Sequence, residues 1–302
     1  MFSDTMKSGV VSRRGNKYGQ DYCTQYGWSQ CHPMKLKSEA HEYLSMLFKR
    51  DGVQPKIVVD NSKEQYLGKF ASKFHGADFH LVNTETYSPW MVASKVCIKH
   101  LNQGFHLKIL KPASTKRLWD HCIDLEALIS LNTAIDIYGL EGQVPEMMMT
   151  GQTDDISNLC GYEWFQWVMY YQLKEGYPDD KMAMVRCLRP AIDVGNAMTY
   201  KILLPYGNYV YRLTVRRWTP VEEVNTVFLA DGETYMSQVQ EVLGAACAVG
   251  DFDDADLTPE FEYYADNVND GFEGTPDEIL PPTPEVNDNY VGANVLGSRK
   301  SP

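Results

Sequence analysis

The sequence predicts an α/β fold built on a mixed sheet, and three patterns predict it. A β-branched run, Ile57-Val58-Val59, stops abruptly at Asp60, as a buried strand does where it emerges at a sheet edge. Alternating aromatics around Gly27 describe a hairpin upstream of it. Amphipathic helical stretches then separate further short apolar runs, which is the alternation of an α/β plan.

Taken in order, Met1 to Asp4 offers almost no strand before its carboxylate, and Gly9 to Asn16 is polar and basic, as a loop is. Lys17 to Gln25 and Tyr26 to Met34 form the predicted hairpin. Lys37 to Asp51 predicts a helix: Ala40, Tyr43, Leu44, Leu47 and Phe48 share a face, Ser38 suits the start and Gly52 the end. After the Ile57–Val59 strand, Leu67, Phe70, Ala71 and Phe74 mark a second helix, and Phe79 to Val82 a further strand. A loop from Thr84 to Trp90, fixed by Pro89, leads into a helix over about 92–103.

A carboxylate at the carboxyl end of a buried strand is where open α/β sheets place ligands, although Asp60, Asn61 and Ser62 equally suit a plain turn. Beyond this core, Thr115 to Ser130 predicts a helix with Leu118, Trp119, Cys122, Leu125 and Ile129 as its apolar stripe. Tyr162 to Leu173 reads as an aromatic helix. From Met182 the pattern changes to short strands, Met182 to Leu188, Tyr200 to Leu204 and Tyr209 to Val215, as in a small all-β module.

The chain has 302 residues and a hydrophobic content of 44%, enough for a sizeable core. Its formal charge of -12 is not spread evenly. From Glu241 onward 14 acidic residues face only Arg299 and Lys300, while residues 1–240 balance 26 basic against 26 acidic side chains. The acidity therefore does not exclude a polyanion as ligand of the body. The acidic, proline-containing end reads as a disordered linker. Seven cysteines without a CxxC pair, and without a signal peptide, read as reduced thiols of an intracellular protein, in nucleus and cytoplasm. Zinc-ligand spacing is absent, and no run reaches the length of a membrane span.

Asp4 in Phe2-Ser-Asp-Thr5, then Asp60-Asn-Ser-Lys-Glu64 56 residues later, then a proline-anchored loop entering a helix, resembles the Asp-Asp-Glu integrases of retroviruses and retrotransposons. Asp60 to Glu64 is similar to that family's Asp-Asn-Gly-X-Glu-(Phe/Tyr) signature, with Ser62 and Gln65 as departures. Lys116-Arg-Leu-Trp-Asp120, Asp136-Ile-Tyr-Gly-Leu-Glu-Gly-Gln-Val-Pro-Glu146 and Asp193-Val-Gly-Asn-Ala-Met-Thr199 look like copia-type LTR retrotransposon polyprotein, and Asn287 to Gly292 like the linker ahead of its reverse transcriptase.

The resemblance implies an RNase H-like mixed sheet with flanking helices over residues 1–104, a helical connector over 105–180, a small DNA-contacting β barrel over 181–224 and an acidic, largely disordered linker over 225–302. It implies DNA integration by strand transfer, with Asp4 and Asp60 as catalytic ligands of paired Mg²⁺ or Mn²⁺ ions. Hard cations want oxygen ligands, and paired cations stabilise the attacking and leaving oxygens of phosphoryl transfer. Double-stranded DNA, from the element ends and the target, and further copies of the chain are the implied partners, with no membrane. Arg13, Arg14, Lys63, Lys99, Arg212, Arg216 and Arg217 are the candidate DNA contacts, although basic residues alternating along strands usually face solvent.

Two departures stand out. The position matching the family's catalytic glutamate is Lys95. An ammonium there removes a ligand and adds a like charge, at a cost of about 4 kcal/mol at 4 Å and an effective dielectric of 20. Lys95 is then expected to pair with Asp4 and Asp60, and Glu85 is the possible substitute carboxylate. Secondly, only Met1 to Ser3 precede Asp4, so the central strand is expected to be a stub, as in a frame opened at an internal methionine or a decayed copy. The implied function is an integrase-derived protein with impaired catalysis. The alternative is a non-enzymatic nucleic-acid-binding or scaffolding remnant of the polyprotein.

Overall fold

The structure, a computed structural model, describes residues 1–52, 56–59, 69–75, 80–83, 90–135, 139–172, 182–192 and 194–248. Its first sheet comprises β1 (Phe2–Lys7), β2 (Tyr18–Cys23), β3 (Ser29–Met34), β4 (Lys56–Val59) and β5 (His80–Asn83), in the order β3-β2-β1-β4-β5. The β3–β2 and β2–β1 pairs are antiparallel, whereas the β1–β4 and β4–β5 pairs are parallel. This is the mixed sheet that the sequence predicts. The hairpin turns where expected, with Gly27 at φ 76° and Thr24 donating its N–H to the Trp28 carbonyl at 2.8 Å.

The expected stub is not found. β1 is six residues long, passes through Asp4 to Lys7 and pairs with β2 along its whole length, in the middle of the sheet. Its polar residues hid it. Ser3 and Thr5, on one face, are satisfied by Gln20, whose Nε2 donates to Ser3 Oγ at 2.7 Å while its Oε1 accepts from Thr5 Oγ1 at 2.8 Å. Hydrogen-bonded in this way, buried hydroxyls serve a strand as well as aliphatics do.

Helices cover both faces. On one, α1 (Ala40–Asp51) and α2 (Lys69–His75) set Leu44, Leu47 and Phe70 against Tyr22, Met34, Ile57 and Val59. The turn ahead of α1 is 3-10, Lys37–Glu39, and Ser38 makes no capping bond, but Gly52 ends the helix at φ 76° as predicted. On the other face lie α3 (Trp90–Leu110) and α4 (Trp119–Leu131). α3 runs past the predicted end at Gln103 because Phe105 and Ile109 continue its apolar face.

α4 lies within the stretch expected as a helical connector, 105–180. Trp119, Ile123 and Ala127 pack with Cys31 and Leu101 of the first sheet's layer, while Leu118, Cys122 and Leu125 enter a second core. A helix buried on two sides is a shared wall, which explains why its apolar residues spread beyond a single stripe. The short α5 (Pro145–Thr150) is anchored to the first layer by Trp28, whose indole N–H donates to Glu146 Oε2 at 2.9 Å.

The predicted helix at Tyr162 to Leu173 is a strand instead. Phe165 adopts φ 59° and donates its N–H to the Cys187 carbonyl at 2.7 Å, so the chain enters β6 (Trp167–Tyr171) already paired. Aromatic and β-branched residues suit that pleat. With β7 (Met182–Pro190), β8 (Tyr200–Leu203), β9 (Tyr209–Arg212) and β10 (Val215–Arg217) it forms a second, antiparallel sheet of order β10-β6-β7-β8-β9. The predicted small barrel is thus a five-stranded sheet with β10 and β9 at its edges.

Order also extends past residue 225, where the linker was expected to begin. After α6 (Pro220–Glu223), α7 (Thr226–Leu243) starts at Asn225, whose Oδ1 accepts from Val227 N–H at 2.9 Å. It buries Tyr235, Val239 and Leu243 against the second sheet. Cys247 then donates its N–H to the Ser114 carbonyl at 2.9 Å. The acidic run beyond Ala248 lies outside the described residues.

Candidate functional site

The parallel pairing of β1 with β4 brings the two predicted aspartate-bearing strands together. Phe2 pairs with Val58 and Ser3 with Val59, so Asp4 follows the last paired residue of β1 and Asp60 follows that of β4 in sequence. Asp60 itself lies outside the described residues, as do Lys63 and Glu85. Asp4 is half-buried, and its Oδ1 accepts from Thr5 N–H at 2.7 Å. Lys95 lies in α3, the helix over the Asp4 face of the sheet, and its side chain is outside the description.

A residue that sequence reasoning missed stands directly opposite Asp4. In the β1–β2 ladder Asp4 pairs with Asp21, so both carboxylates project from one face of the sheet. Asp21 is 1% exposed, and its Oδ1 accepts from Ser29 Oγ at 3.0 Å. Its Oδ2 has no hydrogen-bond partner among the described residues. Burial, opposed by the Ser29 bond and reinforced by the nearby Asp4, pushes the Asp21 carboxyl up to about 7. The signal was partly present, since hairpin alternation places Asp21 with Gly19 and Cys23 on one side. Only the pairing of β1 with β2 could reveal its neighbour. Among the described residues no group of three or more His, Cys, Asp or Glu side chains is gathered to hold a metal ion.

The predicted DNA contacts are dispersed, and several are engaged within the fold. Arg14 donates its Nε to Asp120 Oδ2 at 2.7 Å and its second amine to Asp124 Oδ2 at 3.4 Å. Asn16 Nδ2 also donates to Asp120 Oδ2, at 2.8 Å, and Arg189 of β7 reaches Asp124 at 3.6 Å. Asp120 and Asp124 belong to α4, so this buried seam ties the β1–β2 loop and the second sheet to the shared wall. Lys201 is buried beside it over the Tyr209 ring, and burial, with Arg189 and Arg14 nearby, pulls its ammonium down to about 8. Arg13 is tied into the same joint: its N–H donates to the Arg117 carbonyl at 2.8 Å and its Nε to the Gly207 carbonyl at 3.4 Å.

In the second sheet Arg216 grips both oxygens of Glu222 at 2.7 and 2.6 Å, and these bonds, with the Thr219 N–H, hold that carboxyl down to about 2. Arg217 donates its Nε to the Gly161 carbonyl at 3.2 Å. Arg186 lies over Trp167, 3.5 Å from the ring centroid, and donates to the Phe165 carbonyl at 2.8 Å. Arg212 of β9 and Lys99 of α3 are exposed.

No protein-family model matches the chain, and no curated protein matches it. Among solved structures it is similar to the HTLV-2 integrase catalytic core domain in complex with magnesium, at 12% identity and TM-score 0.39 over 49% of this chain and 93% of that one. It is also similar to the BIV integrase catalytic core domain, at 12% identity and TM-score 0.37 over 49% of this chain and 91% of that one. A third similarity, to the simian T-cell lymphotropic virus intasome in complex with a PP2A regulatory subunit, has 11% identity and TM-score 0.36 over 72% of this chain and 80% of that one. At these values the likenesses carry nothing about chemistry. The order and directions of the first sheet's strands are what speak for the mixed α/β plan.

Proposed function

We propose that the chain is an integrase-derived protein of a copia-type retrotransposon polyprotein, whose reaction is DNA strand transfer and whose catalysis in this copy is impaired. What supports the reading is the β1–β4 register, together with the motif resemblance: Asp4 and Asp60 each follow the last paired residue of adjacent parallel strands. That is the relation a pair of strand-borne metal ligands requires. Half-buried Asp4 and the bare oxygen of Asp21 are hard donors, the kind that suit Mg²⁺ or Mn²⁺. Such ions, when bound, stabilise the attacking and leaving oxygens of phosphoryl transfer.

In this reading Asp4 and Asp60 hold the cations, and Lys95 withdraws the third oxygen ligand and repels them. Glu85 is the one upstream carboxylate of the following loop that could substitute. Double-stranded DNA is the substrate, and further copies of the chain complete the assembly. Exposed Lys99 and Arg212 are the described cations best placed to meet phosphates, and such contacts make affinity fall steeply with salt. The lysine at 95 also favours a second reading, a non-enzymatic nucleic-acid-binding or scaffolding remnant.

A Mn²⁺-dependent strand-transfer and nicking assay on labelled duplex DNA separates these, comparing the protein with Lys95→Glu. Activity in Lys95→Glu alone is the expected result. Activity in the unmodified chain would move the third ligand to another residue, with Glu85 first to be tested. Silence from both would leave the scaffolding reading.

A further inference from the structure

We infer that Asp21 is a further carboxylate of the cation site, holding a divalent metal ion together with Asp4 from the neighbouring strand. The inference rests on the reading of this face as a cation site, and it adds a ligand that the motif does not contain.

Three observations carry it. Asp4 and Asp21 are direct partners in the antiparallel β1–β2 ladder, which sets their Cβ atoms roughly 4.5–5.5 Å apart on one face. Like charges directly opposite are unfavourable, and a cation or a proton held between them relieves this. Secondly, Asp21 is 1% exposed, yet Oδ2 has no hydrogen-bond partner among the described residues, and its only recorded donor, Ser29 Oγ, serves the other oxygen. A buried carboxylate oxygen left bare is expensive, and a coordinated cation is one of the few things that satisfies it. Thirdly, no basic side chain of the described residues is recorded in an ion pair with Asp21, whereas buried Asp120 has Arg14. Metal coordination answers all three, since a hard cation accepts oxygens from two carboxylates at once.

The arrangement also fits the loss at position 95. Asp21 comes from β2, on the sheet itself, and supplies an oxygen that α3 does not. A cation held by Asp4 and Asp21 sits on the β2 side of Asp4. A site so built takes one ion more readily than the bridged pair that strand transfer uses, consistent with binding retained and catalysis impaired.

The test is Mn²⁺ binding to the full chain after chelator treatment, read by calorimetry and by the loss of the free-ion paramagnetic resonance signal. The variants are Asp21→Asn, Asp4→Asn and Asp60→Asn. The expected result is Mn²⁺ binding by the unmodified chain and at least tenfold weaker binding in Asp21→Asn. Melting of Asp21→Asn in chelator should be no lower than that of the parent, which separates a lost ligand from a lost fold. Parental Mn²⁺ affinity in Asp21→Asn, with binding lost in Asp4→Asn and Asp60→Asn, would overturn the inference and leave the functional reading intact. Binding unchanged in all three variants would overturn both; no binding by the parent would overturn the inference alone, a proton shared by Asp4 and Asp21 then being the alternative to a cation.

Discussion

Replacing Arg14 by alanine separates a structural arginine from a DNA-binding one. In the fold its guanidinium neutralises Asp120, which is 0% exposed, at 2.7 Å and reaches Asp124 at 3.4 Å. Removing one partner of a buried ion pair costs about 3–5 kcal/mol, because the survivor remains buried and uncompensated. Arg14 keeps 28% of its side chain exposed, and Asn16 still donates to Asp120, so the lower end, about 3 kcal/mol, is expected. For a chain of this size that lowers the melting temperature by about 6–12 °C. Thermal and urea denaturation of Arg14→Ala, Asp120→Asn and the double variant would measure it. The cycle should show a coupling of at least about 1 kcal/mol, since the two residues share one network. A loss of stability below about 1 kcal/mol, combined with weaker and less salt-dependent DNA binding, would refute the structural assignment and return Arg14 to the DNA contacts.

Two further outcomes are expected. The Asp21 carboxyl stands at about 7 in the fold against an ordinary 3.8, so the native state holds its proton more tightly than the unfolded chain does. In chelator, the Asp21 contribution to stability is therefore full below about pH 4 and falls by about 4 kcal/mol as pH rises from there through 7; denaturation at pH 5 and pH 8 should show about 2.5 kcal/mol of that fall in the parent and not in Asp21→Asn. Leu243→Ala, at a position 1% exposed in the second core, should cost about 2–5 kcal/mol in a urea titration, whereas a residue in a disordered linker would cost nothing.

The sequence by itself determined the elements whose signal is local. The Gly27 hairpin, the α1 face ending at Gly52 and the Ile57–Val59 strand follow from periodicity and from glycine's freedom at positive φ, and each is found. The motif that names Asp4, Asp60 and Lys95 is likewise a property of the text alone. Tertiary structure decided everything that depends on a partner. β1 is a full central strand because Gln20 satisfies its hydroxyls, and β6 is a strand because β7 and β10 flank it. α4 is a wall between two cores, and Arg14 and Arg216 meet carboxylates of their own chain. Asp21 belongs to this second group: alternation could place it on a face, but only the β1–β2 ladder sets it against Asp4. Local propensity is written in neighbouring residues, whereas cross-strand contacts join positions far apart in sequence, and no window along the chain contains both.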